Sequence, residues 1–202
     1  MLNKNSEKVT KRAPKIEQLN RSSQAIIAST MQLLEEIGYR SLTINKISQH
    51  SGVARTTIYR RWGSIQEIVI YSVKESESLS EHVPDTGNLR TDLVAVYERL
   101  ATKLEQSSFG RILPSLIEAA AYDTEFHSML LNLMRPKRLE AVAIVEKAVE
   151  RSEIKSDINI SWLLDSITGP LYFRLLVKRA PLLEENYIEF LVDSVLNYVL
   201  KD

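Results

Sequence analysis

Apolar positions along this chain recur with a helical period almost from end to end. Residues 1–16 are the exception: they are polar, lack that period and contain Pro14, which reads as a disordered arm. From Gln18 a stripe of Leu19, Ile26, Ile27, Leu33, Leu34 and Ile37, with Thr30 among them, predicts an amphipathic helix that Gly38 stops. Thr43 is placed to cap a second helix with Ile44 and Ile47 facing inward, and Ser51-Gly52 breaks it. Val53 anchors the turn, and a short third helix runs from Ala54 to Arg61. Ser64 then caps a fourth helix, with Glu67 at the reciprocal capping position and Ile65, Ile68, Val69 and Val73 as its apolar set.

This fourth helix fades into the polar stretch Glu75–His82, and Pro84-Asp85-Thr86-Gly87 reads as a loop. Further helices are predicted near 89–107, 110–122, 124–151, 159–179 and 185–201. The first of these carries Leu93, Val96, Tyr97, Leu100 and Leu104 on one stripe. Nowhere does the strict alternation of a half-buried strand occur between turns. The expectation is an all-α chain in three parts: a basic arm at 1–17, a domain at 18–75 and a helical domain at 76–202.

Composition narrows the function. With 202 residues, 44% of them apolar and 26% charged, the chain can bury a substantial core. The absence of Cys removes disulfides, thiol catalysis and cysteine zinc sites. No apolar run reaches a membrane span, and Met1–Glu7 has no apolar signal core, so no membrane partner and a cytoplasmic location are expected. The net charge of zero conceals an asymmetry: residues 1–65 hold eleven Lys or Arg against four Glu, net +7, and the remainder holds −7. A basic end on an acidic body suits a protein that offers one end to a polyanion.

The stretch 43–61 has the form of a helix-turn-helix. Its inward positions Ile44, Ile47, Val53 and Ile58 are apolar, Gly52 serves the turn, and Arg55, Thr56, Thr57, Tyr59, Arg60 and Arg61 supply donors for bases and phosphates. Arg55 and Thr56 open the recognition helix and are the expected base readers. Thr43, Thr57, Tyr59 and Arg60 are expected to hold phosphates and set register. Trp62 reads as core.

These segments resemble a known family. Gly38-Tyr39-Arg40-Ser41-Leu42-Thr43-Ile44, Ile47-Ser48-Gln49-His50-Ser51-Gly52-Val53 and Ala54-Arg55-Thr56-Thr57-Ile58-Tyr59-Arg60-Arg61-Trp62 lie within residues 21–70, which look like the N-terminal domain of TetR family bacterial regulators. Ile167-Thr168-Gly169-Pro170-Leu171-Tyr172-Phe173-Arg174-Leu175-Leu176 resembles one branch of the family in its C-terminal part. The resemblance implies an all-helical homodimer whose C-terminal domain binds an effector and whose N-terminal domain then releases double-stranded operator DNA. Two positions depart from the family pattern. Ala54 stands where Ser often caps the recognition helix, and Ile65 where Lys commonly approaches a phosphate.

In the C-terminal part, Gly169-Pro170 predicts a kink in an apolar helix. The last helix is apolar around much of its circumference and needs more than one neighbour. Two such helices from each subunit would make an intersubunit four-helix bundle, with Leu171, Leu175, Leu191, Val195 and Tyr198 at the interface. Tyr97, Tyr122, Phe126, Trp162 and Tyr172 are candidates for an effector wall, with Asp165 to orient the ligand; each also reads as plain core or, for Asp165, as a surface ion pair. No cofactor, metal site or enzyme activity is expected: His50, His82 and His127 are scattered, Asp123, Glu125 and His127 read as a solvated helix start, and no Gly-rich phosphate loop occurs. The reading is a ligand-released repressor. An activator or a protein-controlled regulator of the same fold is the alternative, followed by a non-regulatory helical interaction module.

Overall fold

The computed structural model describes residues 6–76 and 83–199, with side chains from residue 21 onward. It divides into two compact units, Met1–Ser78 and Leu79–Asp202.

In the first unit, helix α1 spans Ser6–Ile37, a 3-10 turn Tyr39–Ser41, α2 Ile44–Ser51, α3 Arg55–Tyr59 and α4 Ile65–Ser76. The stretch expected to be a disordered arm is therefore helical from Ser6 on, and residues 1–5 of it lie outside the described residues. Pro14 does not break this helix. Glu7, Lys8, Lys11, Arg12, Ala13 and Lys15 are good helix formers, and their summed propensity opposes the local cost of one proline. α1 packs against both α2 and α4. Ile26, Leu33, Leu34, Ile47, Ile58, Ile68, Val69 and Val73 close the core between them. Thr30 is buried there with its hydroxyl donating to the Ile26 carbonyl at 2.7 Å, which explains a polar residue on an apolar stripe.

The second unit contains α5 Leu89–Gln106, α6 Ser108–Ala120, α7 Thr124–Glu150, α8 Ile160–Phe173, a π-helical turn Arg174–Lys178 and α9 Tyr187–Val199. Local side chains start these helices. Asn88, Ser107, Asp123 and Asn159 each accept a hydrogen bond from the third amide of the helix they precede. Asp123 is thus a cap, bonded to the Phe126 amide at 2.9 Å. α5 packs against α6, α7 and α9, with Leu93, Tyr97, Ala101 and Leu104 turned inward. At the α5–α6 corner, a Cβ on Gly110 would lie 1.8 Å from the Leu104 carbonyl oxygen, so only glycine fits that close approach. The buried Asp92 carboxylate accepts from the Thr86 amide at 3.0 Å and the Thr86 hydroxyl at 2.8 Å. These bonds pin the loop before α5 and replace the water that the charge gives up.

Pro170 lies inside α8, and the expected break arrives one turn later. The chain leaves α-geometry at Arg174, widens into the π turn and stops at Arg179 in a left-handed conformation, φ 52°. The Arg174 guanidinium lies 4.1 Å from the Tyr187 ring centroid and pairs with Glu184, tying the turn to the start of α9. Among the described residues, no helix is long and apolar enough to cross a membrane.

Candidate nucleic-acid interface

The interface is built from the turn outward. α2 ends at Gly52, φ 68° and ψ 10°, the left-handed conformation that caps a helix at least cost with glycine. The Ser51 hydroxyl accepts from the Val53 amide at 3.2 Å, and the Ser48 hydroxyl donates to the Val53 carbonyl at 2.7 Å. The turn is thereby fixed from both sides, and α3 leaves it at a set angle to α2. At five residues, α3 is too short to persist alone. Burial of Ile58 and Trp62 holds it in place, and Trp62 packs its ring against Tyr71 of α4 at 5.6 Å between centroids. The ring partner of Trp62 is Tyr71, while Tyr59 stands 58% exposed.

With Ile58 inside, Arg55, Thr56, Tyr59 and Arg60 are exposed and Thr57 is half-buried. Ala54 gives no side-chain cap, consistent with the departure noted in the sequence. Thr43 caps α2: its hydroxyl oxygen accepts from the Lys46 amide at 3.2 Å. A hydroxyl carries one proton beside its two lone pairs, so this cap leaves that proton for a phosphate oxygen. At α4 the cap expected of Ser64 forms, while Glu67 reaches one residue further back than a capping box requires. Ser64 Oγ accepts from the Glu67 amide at 3.2 Å, and Glu67 Oε2 accepts from the Gly63 amide at 2.8 Å.

Two polar neighbours escaped the sequence reading. Asn45 Oδ1 accepts a hydrogen bond from Arg55 Nη1 at 3.0 Å, joining α2 to α3 across their exposed side. Lys46 Nζ donates to the Ser41 carbonyl at 2.8 Å, which holds a cation at the start of α2. The first contact has no sequence signature, because it depends on how the turn at Gly52 folds back; the second is local to the start of α2.

The comparisons agree with this geometry. Residues 26–71 match the family profile described as bacterial regulatory proteins, tetR family, and residues 83–195 match the tetracyclin repressor-like C-terminal domain. The chain belongs to the TetR family. A DNA-binding transcriptional repressor TetR of Mycobacteroides abscessus is 30% identical over 181 residues, 89% of this chain and 94% of that one. The uncharacterized HTH-type transcriptional regulator YdeS of Bacillus subtilis is 30% identical over 155 residues, 76% of this chain and 78% of the relative. The crystal structure of the TetR family transcription regulator SCO0332 superposes with a TM-score of 0.65 at 27% identity, covering 89% of this chain and 99% of that one. This TetR-family member is accordingly a DNA-binding transcriptional regulator of all-α fold.

The residues expected at an effector wall divide between the interior of the second unit and its surface. Tyr97 is buried, its hydroxyl 3.1 Å from both the Leu164 carbonyl and the Thr168 hydroxyl. Tyr172 is half-buried, and burial pushes its phenol up to about 12, with Tyr97 nearby adding to the shift. Tyr97 and the unanticipated Thr168 thus share a hydrogen bond inside the unit, with the Arg138–Asp165 ion pair near enough to act on the Tyr97 phenol. Phe126, by contrast, is wholly core, while Tyr122 at the α6–α7 turn is 85% exposed and Trp162 on α8 is 72% exposed. Asp165 is exposed and pairs with Arg138 at 2.7 Å, the surface ion pair that was its alternative reading.

The interface assignment also needs correction. Leu171 and Leu191 are 0% and 7% exposed within the unit, where they fill its own core and leave little or no surface for a partner. Leu175 and Val195 are half-buried, and Tyr198 is exposed. The apolar side chains left outside on these two helices and the π turn are Trp162, Phe173, Val177, Phe190 and Tyr198. An all-round apolar helix does not reveal which of its sides the subunit consumes.

Proposed function

We propose that this regulator is a homodimeric repressor that binds operator DNA through residues 18–75 and is released by a small, largely apolar effector bound in residues 76–202. Arg55 and Thr56 read bases, while Thr43, Thr57, Tyr59 and Arg60 grip phosphates. The observation that carries this reading is the exposed row Arg55, Thr56, Tyr59 and Arg60 on a helix anchored by buried Ile58. Repression is supported by the name of the Mycobacteroides relative. The protein acts by binding alone, without catalysis, in the cytoplasm where its DNA lies.

Dimerisation is supported by the exposed apolar side of α8 and α9. Trp162, Ser166, Gly169 and Phe173 recur at helical spacing on α8, and a Cβ on Gly169 would meet nothing within 4 Å. Small residues at that spacing let a second helix come close. On α9, Phe190, Ser194 and Tyr198 recur the same way. Paired recognition helices would then meet half-sites one helical turn apart, ~34–36 Å, or a multiple of it.

A duplex carrying the region upstream of the chain's own coding sequence tests the reading by electrophoretic retardation. Specific binding, resistant to an excess of random duplex, is expected; equal competition by random duplex would sink it. An effector that shifts occupancy tenfold must supply ~1.4 kcal/mol of differential affinity, and operator DNA must weaken effector binding equally. The dispersal of Tyr122, Phe126 and Trp162 favours a second reading, in which a protein partner takes the effector's place. Equal affinity of candidate apolar compounds with and without operator decides for that second reading.

A further inference from the structure

We propose that Asn45 is a positioning residue for base recognition: its side-chain carbonyl holds the Arg55 guanidinium in place before DNA arrives, and so sets how sharply one base pair is discriminated. This rests on the reading of Arg55 as a base reader. Asn45 lies in the first turn of α2 and Arg55 opens α3, with the fixed turn between them, and the 3.0 Å bond from Nη1 to Oδ1 spans the two helices. Both residues are exposed, so the contact contributes little to the core.

The physical consequence concerns freedom. An arginine side chain has many rotamers, and a bidentate contact with a guanine must fix most of that freedom. A guanidinium already tethered through one amino group forfeits less on binding, and four of its five N–H donors remain for the base edge. Asn suits this task better than a carboxylate. A neutral acceptor orients the cation without cancelling its charge and without adding an anion beside the phosphates. The amide also brings its own Nδ2 donors, which can face the DNA backbone while Oδ1 holds Arg55.

The test uses the full chain and a library of randomised duplex DNA, selected on the wild-type protein and sequenced, then rebound by each variant. Arg55→Ala is expected to flatten preference at one base position by about tenfold or more. Asn45→Ala should flatten the same position by about two- to tenfold, and in the Arg55→Ala background should change nothing further. Asn45→Asp keeps the acceptor, so it should keep the preference at that position while weakening all sequences alike. Unchanged thermal unfolding of Asn45→Ala separates these effects from loss of fold. If Asn45→Ala weakens every sequence equally and adds to Arg55→Ala, Asn45 is a phosphate contact and the proposal is overturned, with the Arg55 reading intact. If Arg55→Ala leaves the preference profile unchanged, the Arg55 reading falls and the proposal falls with it.

Discussion

Arg55 and Arg60 stand at opposite ends of the recognition helix and should fail in different ways. Arg55→Ala is expected to cost ~1–3 kcal/mol and to relax preference at a single position. Arg60→Ala should weaken all sequences alike and lower the salt slope of binding by about one. Titrations of operator and random duplex at several salt concentrations distinguish the two. Away from DNA, Tyr172 supplies a pH prediction. Its phenol is held at about 12 in the fold, against an ordinary value of 10.0. Between those values the unfolded chain has released the proton that the folded chain retains, so stability falls as pH rises. The contribution is complete below pH 10 and is lost on passing through about 12, by roughly 2–3 kcal/mol. Urea unfolding across that range should show the decline in the wild type and a smaller one in Tyr172→Phe. The base-reading candidates Arg55 and Thr56 were legible from sequence because their positions in the motif are local. Asn45 was not, because its bond to Arg55 closes only when the turn at Gly52 brings two helices together.

At the scale of the element, helices were easy to locate and their ends nearly as easy. The 3.6-residue stripe and the Asn, Asp, Ser and Thr caps are both written in the chain itself. The region before residue 18 was misread because one proline outweighed a run of good helix formers in the reading, and the reverse holds in the structure. α3 is the element most open to improvement. It lacks a side-chain cap at Ala54, so Ala54→Ser should stabilise the protein by ~0.5–2 kcal/mol. Gly52→Ala should do the opposite, costing ~1–2 kcal/mol, since the added Cβ meets no neighbour but forces a left-handed alanine. Chemical denaturation of both variants measures the pair, and a stabilising Gly52→Ala would refute the account of the turn.

At the scale of the whole molecule, two units of ordinary helical packing carry opposite net charge, and that separation was plain from the sequence. The exposed side of α8 and α9 was not. Both helices are apolar enough to be buried on several sides, and only the packing of the unit determines which side remains. Substitutions should therefore divide sharply. Phe190→Glu and Tyr198→Glu are expected to leave helicity unchanged and to yield monomers with lost operator affinity. Leu191→Glu, placed in the core, should unfold the second unit. Sedimentation together with circular dichroism separates these outcomes, and an intact dimer in both exposed-face variants would remove the interface. The effector wall was the least legible part. Convergence of side chains from several helices has no local signature, and of the residues expected there Tyr97 lies near both Tyr172 and Asp165, while Tyr122 and Trp162 are exposed.

The aromatic groups left outside on α8 and α9 also bear on how many molecules a cell must hold. If they are what joins two subunits, then below the dissociation constant of the pair the amount of DNA-competent species grows as the square of subunit abundance. A twofold drop in synthesis then cuts operator coverage about fourfold before any signal arrives. Newly made subunits would meanwhile carry an adhesive flank until they meet, which favours synthesis in bursts over a slow trickle. The same side chains would then set both a threshold for gene control and a hazard for the unpaired chain.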